Sequence, residues 1–328
     1  MVTRVGQLPH DDPSSDVPMR PARLRTRGDR TFIGIATAAT SVSFVIILLA
    51  LVFLIDKARP AFAKSGIVNF FTTSVWNPFA GKFGVLGLLE GTMVIALIAL
   101  VVGVPMGVSM ALFINEYAPA ALRRPLTSVI DLLAALPSIL FGMWGLSALS
   151  GRLSPIAKFL GDHLSVLPFL RTGTDPQLVR SSFIAGVVVG IMIVPIIASV
   201  SRDVMAQAPR EQCEGALALG GTRWGMIREV ILPFGRSGIV GASLLGFGRA
   251  LGETIAVALL ISPMVNLNGH VLTSGAGSIA AHIAIYFGEA GPLERSGLVA
   301  AGLALFLLTL VVNLVARMVV RRSAYVSV

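Results

Sequence analysis

The sequence predicts an all-α membrane protein with six transmembrane helices and both termini in the cytoplasm. Three observations predict it. Of 328 residues, 55% are hydrophobic and only 13% charged, where soluble domains carry roughly 25% charged residues. The mean hydropathy is +0.83. The apolar residues gather in long runs, each allowing about 20 residues of helix, which is what a hydrocarbon core of about 30 Å requires. Alternating strands of about ten residues, the mark of a membrane β-barrel, are absent.

Residues 1–31 hold Pro, Asp, Ser and six Arg with little apolar content, and read as a disordered cytoplasmic tail. The tail is too long and polar for an ordinary secretory leader, and the apolar run behind it is too long. The first span is Phe32–Ile55, followed by an external segment, 56–84, in which Trp76, Asn77 and Pro78 fit an interfacial anchor. The core, 85–320, carries the other spans: Val85–Ile114, Leu126–Leu149, Ser182–Val200, Gly238–Ile261 and Gly297–Val320. A loop at 201–237 lies inside it, and 321–328 is a cytoplasmic C-terminus. Residues 262–296 include SIAAHIAIYF, which fits a short helix on the outer surface.

Pro105, Pro137 and Pro195 lie inside spans, where neighbouring helices can satisfy the freed carbonyls. Three kinks point to a curved bundle around a path. Gly103–Gly107, Gly186–Gly190 and Gly248–Gly252 each fit G-x-x-x-G, a close-packing signal. Orientation follows from Lys and Arg. With the N-terminus inside, sixteen of the 26 fall on cytoplasmic segments and nine outside, with Arg249 left in the fifth span. The 201–237 loop is then cytoplasmic.

The net charge of +9 therefore orients the chain; no basic folded face or motif points to nucleic acid. Cys213 is the one cysteine, so no internal disulfide forms, and it reads as a buried small residue. The four His show neither metal-ligand spacing nor a nucleophile–base pattern. No metal or cofactor is expected. There is no G-x-x-x-x-G-K-[ST], so ATP is not bound in the P-loop manner and energy has to arrive through a partner.

In the loop, Pro209 suits a first helical position, and Arg210–Leu219 reads as a short helix ended by Gly220-Gly221 as a C-cap. Thr222 caps a second, Arg223–Leu232, that Pro233 stops. Cys213, Ala216 and Leu217 form an apolar face suited to a partner's groove. Glu214-Gly215-Ala216, Gly220 and Val230-Ile231-Leu232-Pro233 resemble the EAA-x3-G-x9-I-x-L-P loop of ABC-importer permeases, with Gly215 in place of the usual Ala. That resemblance implies a coupling helix docking on an ATPase subunit, through Glu214, Gly215, Ala216, Gly220, Leu232 and Pro233.

In the fifth span, Arg249 and Glu253 stand four apart, hence on one helix face. At mid-membrane each is costly, by about 2.5–3.5 kcal/mol, so both must face protein or water. One reading is a structural ion pair locking two helices. The other is a guanidinium offered to a translocating anion, bidentate and always charged, with Glu253 holding Arg249 while the path is empty. Both can hold together. Of the other intramembrane acids, Glu90 reads as snorkelling, and Asp131 lies within reach of the cytoplasmic interface.

Gly248 to Val257, GRALGETIAV, resembles a segment of the phosphate ABC-importer permeases of the PstC type. LPSILFGMWG at 136–145 and ALFINE at 111–116 resemble further stretches of that family, and the likeness covers roughly 70–320. It implies a type I ABC-importer permease bundle and import of inorganic phosphate. It also implies a heterodimer with a PstA-type second permease, an ATPase subunit dimer and an external phosphate-binding protein. By the same resemblance Arg249 and Glu253 are substrate-path residues, and the chain is no enzyme. Another oxyanion such as sulfate or molybdate, and a signalling scaffold, are the alternatives.

Overall fold

The computed structural model describes residues 27–164, 166–172 and 178–324. All but the last residues of the expected tail, and residues 325–328, lie outside the described part. Helix α1, Arg27–Ser65, starts inside the expected tail and runs ten residues past the expected end of the first span, through Pro60. The short α2 (Ile67–Thr72) follows. A two-stranded antiparallel hairpin, β1 (Trp76–Asn77) and β2 (Lys82–Phe83), comes next.

The core pair is α3 (Leu86–Leu112) and α7 (Ser182–Met205). Two of the three G-x-x-x-G pairs make this contact. A methyl on Gly103 would sit 2.6 Å from Ile193 Cγ1, and one on Gly107 2.8 Å from Ile197. Reciprocally, methyls on Gly186 and Gly190 would meet Ile98 at 2.6 Å and Val102 at 2.9 Å. Backbones thus approach closely enough to gain dispersion contacts that lipid cannot supply. The helices α3 and α7 contain Pro105 and Pro195 without breaking.

The third expected span is not one straight helix. It divides into α4 (Ala120–Ala134) and α5 (Ser138–Trp144), the latter continuing through a wide turn at Gly145–Leu149 into α6 (Ser150–His163). The two parts meet at 90°. Leu136 precedes Pro137 and is pushed out of helical geometry, and Pro137 has no N–H to continue the ladder; where α3 and α7 absorb a proline, this turn does not. Among the described residues, five helices are long and apolar enough to cross a membrane, or six if the bent pair is one span.

The remaining elements are α8 (Arg210–Ala218), α9 (Arg223–Met226), α10 (Leu232–Leu251), α11 (Ile255–Leu260), α12 (Ile279–Tyr286) and α13 (Pro292–Ala324). The expected surface helix at 279–286 is instead packed inward: Ile279, Ala281 and His282 are buried. His282 stacks edge-on to Trp76 at 4.8 Å, and Trp76 in turn to Phe83 at 5.1 Å. The Trp76, Asn77, Pro78 segment is therefore a packed hairpin rather than a free anchor.

Gly103→Ala should lower the thermal midpoint of the detergent-purified protein by the equivalent of about 1–3 kcal/mol, as overpacking does. Burial pushes the His282 imidazole down from its usual 6.5 to about 4. Between those values the unfolded chain binds a proton that the folded chain refuses. Stability should thus be flat above pH 6.5 and fall as pH drops toward 4, and His282→Phe should flatten thermal midpoints measured across that range.

Candidate functional site

The site is built on one helix and its interruption. From Arg223 the chain is helical through α9, a wide turn at Ile227–Ile231 and α10 to Leu251, 29 residues in all. Pro233 was expected to stop a short helix, and it does not. Its ring would clash with the carbonyl four residues back, but that carbonyl belongs to the wide turn, whose extra residue makes room.

The real break comes at Gly252–Thr254, after which α11 starts afresh. Glu253 is only 7% exposed, and its Oε1 accepts the N–H of Ala256 at 3.3 Å, satisfying a free donor of α11's first turn. The fifth span is therefore not a continuous Gly238–Ile261 helix. Arg249 is in the last turn of α10 and Glu253 sits in the break, so they do not share a helix face. Among the described residues no ion pair joins them. Each acts separately, Glu253 as a buried cap and Arg249 as an exposed cation.

Arg249 lines a cleft of about 660 Å³ with Ile196, Gly241, Gly248, Asn313 and Arg317. The third G-x-x-x-G behaves unlike the other two. A methyl on Gly248 would meet nothing within 4 Å, so this glycine leaves room in the cleft and packs against no neighbouring helix. Asn313 and Arg317, on α13, were missed as site residues. Their signal is present in the sequence: with Thr309 they are the polar side chains between Gly297 and Val320, and they recur every fourth residue. Behind the break, Gly142 of α5 faces α11 so closely that a methyl would lie 2.8 Å from Ala256 Cα. The 136–145 and 248–257 segments, both singled out in the sequence, are in contact.

The loop forms as its residues dictate. Gly220 has φ +84°; its N–H donates to Leu217 O at 3.0 Å and the Gly221 N–H to Ala216 O at 3.1 Å. This is the paired bonding of a glycine-terminated helix. Thr222 Oγ1 accepts the Gly225 N–H at 3.1 Å, capping α9. Cys213 and Ala216 pack inward with Leu232 against Met205, Met226, Ile227 and Ile231, so of the expected apolar face only Leu217 points outward. Leu219 and Trp224 are exposed as well, with Glu214 and Gly215 alongside; Pro233 is also exposed. Burial, then Glu116 and Glu214, raises the Cys213 thiol above its usual range, which keeps it unreactive. Arg223 Nη1 donates to Glu116 O at 3.0 Å, and Asn115 Nδ2 to Arg202 O at 2.9 Å. The loop is thus tied to the ends of α3 and α7. Glu90 is half-buried in an apolar groove and Asp131 is exposed; neither lies at the cleft.

Comparison with known proteins bears on this arrangement. A family model described as the binding-protein-dependent transport system inner membrane component matches residues 103–325. The phosphate transport system permease protein PstC 2 of Mycobacterium tuberculosis is 42% identical over 306 residues, 92% of this chain and 93% of the relative. The PstC of Xylella fastidiosa is 41% identical over 298 residues, 90% and 91% of the two chains. A bacterial ABC transporter involved in alginate import shares the fold at a TM-score of 0.60 and 20% identity, covering 89% of this chain and 96% of that one. That transporter is also known in complex with an alginate pentasaccharide-bound periplasmic protein, again at a TM-score of 0.60, with 19% identity over 91% and 98% of the two chains.

Because a methyl on Gly215 would meet nothing within 4 Å, Gly215→Ala should stabilise α8 by up to about 1 kcal/mol. Gly220→Ala should destabilise it by about as much, since φ there is left-handed. Hydrogen-exchange protection of the Arg210–Ala218 amides reads both signs.

Proposed function

The chain belongs to the family of binding-protein-dependent transport system inner-membrane components, and on that premise we propose that it is a PstC-type membrane subunit of an ATP-driven importer of inorganic phosphate. It sits in the cytoplasmic membrane of a prokaryote with both termini inside, as the bias of Lys and Arg supports. A PstA-type second permease completes the membrane part as a heterodimer, an ATPase dimer docks on the 201–237 loop, and an external phosphate-binding protein delivers the anion. The chain itself catalyses nothing; ATP hydrolysis is the partner's.

The observation that carries this reading is that one helix joins the loop to Arg249. Twenty-six residues separate Arg223 from Arg249, roughly 40 Å of helix. A force on the exposed face of α8 and α9 is delivered along that rod to a cation on a cleft. Arg249 binds phosphate oxygens through its planar fork. Glu253 keeps the break in register by capping α11 and is not the counter-ion of an empty path. Gly220 and Thr222 fix the angle at which the two loop helices meet.

With the complete importer in proteoliposomes, Arg249→Ala should cut ATP-driven phosphate uptake by about 100-fold or more, as losing a desolvated charge contact does. Unchanged uptake would remove Arg249 from the path. Unlabelled phosphate should compete with the labelled anion, and sulfate and molybdate should not. Gly220→Val should leave the complex assembled but its ATPase deaf to the loaded binding protein.

A further inference from the structure

Resting on that reading of Arg249, we propose that Asn313 and Arg317 of α13 form a second phosphate station in the same cleft, to which the anion passes from Arg249 before it leaves for the cytoplasm. The first ground is the stripe. From Gly297 to Val320 the polar side chains of α13 are Thr309, Asn313 and Arg317, spaced by four, which puts them along one face of the helix. Thr309 satisfies itself on Phe306 O at 2.8 Å. Asn313 and Arg317 line the cleft with Arg249. An amide and a guanidinium on an apolar helix need water or polar partners, and the cleft supplies the space for them.

The second ground is charge. No carboxylate lines the cleft. The ion pairs found among the described residues join Arg59 to Asp56, Arg202 to Asp203 and Arg228 to Glu229; neither Arg249 nor Arg317 takes part. Glu253, the nearest acid in sequence, is spent on the Ala256 N–H. Two guanidiniums and an amide donor therefore face one open volume with nothing to neutralise them. The two guanidiniums can only donate and the Asn313 amide donates through Nδ2, and an oxyanion is a ligand that accepts from all three.

The third ground is length. Gly241 and Arg249 bound the cleft on α10 two turns apart, about 12 Å, too far for one side chain to serve both ends. Methyls on Gly241 and Gly248 would meet nothing within 4 Å, so these two glycines leave space, with Leu244 and Leu245 lining the cleft between them. A lone deep cation would hold phosphate too well. A second site that shares the anion lowers the barrier to its release, as in pores that conduct through several weak sites.

Lipid headgroups also carry phosphate, and the test separates the two sources. In the complete importer with Cys213→Ala, which removes the single native thiol, Arg317→Gln and Asn313→Leu should each lower phosphate uptake about tenfold, the scale of one hydrogen bond to a charged group. Arg317→Lys should restore part of it. The Arg317→Gln loss should persist in vesicles of a phosphate-free galactolipid; if it vanishes there, Arg317 is a headgroup anchor and the station does not exist. A thiol placed by Asn313→Cys should react with a water-soluble methanethiosulfonate, and inorganic phosphate should slow that reaction. No reaction, or no protection, overturns the proposal, and this measurement stands even where Arg317→Gln fails to assemble. Loss with Arg249→Ala but none with the α13 variants sinks the station alone. No loss with Arg249→Ala sinks the reading beneath it.

Discussion

The structure depends on where one helix is allowed to stop. The chain stays helical from Arg223 to Leu251, across a proline that would ordinarily end it, and then gives way at Gly252. The wide turn at Ile227–Ile231 keeps the first part whole, and the carboxylate of Glu253 makes the ending tolerable by taking up an N–H of the next helix. A helix resists compression along its axis far better than a loop does. Continuity from the loop to Arg249 thus provides stiffness, and the break beyond it provides a place where movement can be absorbed. Were the helix to stop at Pro233 instead, the loop could swing without Arg249 moving.

The break also decides what the buried Glu253 and the exposed Arg249 do. An intact helix would set Arg249 and Glu253 on one face, and in a low-dielectric interior they would pair strongly. A paired guanidinium is a poor anion site, because an incoming oxyanion must compete with a carboxylate already in contact. Ending the helix at Leu251 turns the acid into the backbone of α11 and leaves the base on the cleft. The membrane cost of each charge is met separately, by a hydrogen bond for Glu253 and by the open cleft that Arg249 lines.

Much of this was legible in the sequence, because local rules govern it. Gly220 and Thr222 cap the loop helices as glycine and threonine do anywhere, and the apolar runs are long enough to span. What was not legible depends on neighbours. Pro105, Pro137, Pro195 and Pro233 have the same local signature, yet three are absorbed and one turns the chain through 90°. The difference lies in the surroundings: Pro105 and Pro195 sit in the packed α3–α7 pair, and Pro233 follows a wide turn. The face of α8 was misassigned for a similar reason. Periodicity grouped Cys213, Ala216 and Leu217, but Met205 and Met226 claim the first two and leave Leu217 outward.

The three glycine pairs carry the point furthest. All three read G-x-x-x-G, and nothing within the motif distinguishes them. At Gly103–Gly107 and Gly186–Gly190 the missing side chain is replaced by a neighbouring helix; at Gly248 it is replaced by open space. The distinguishing signal lies on another helix, in the four-residue spacing of Thr309, Asn313 and Arg317. A small residue in a membrane helix says that something approaches closely, and only the polarity of the facing helix says whether that something is protein or water. Where the facing stripe is apolar, as on α3 and α7, the helices close. Where it carries an amide and a guanidinium, closing would bury unpaired donors at a price of several kcal/mol, so the gap stays open and the charged groups have a shared volume to serve.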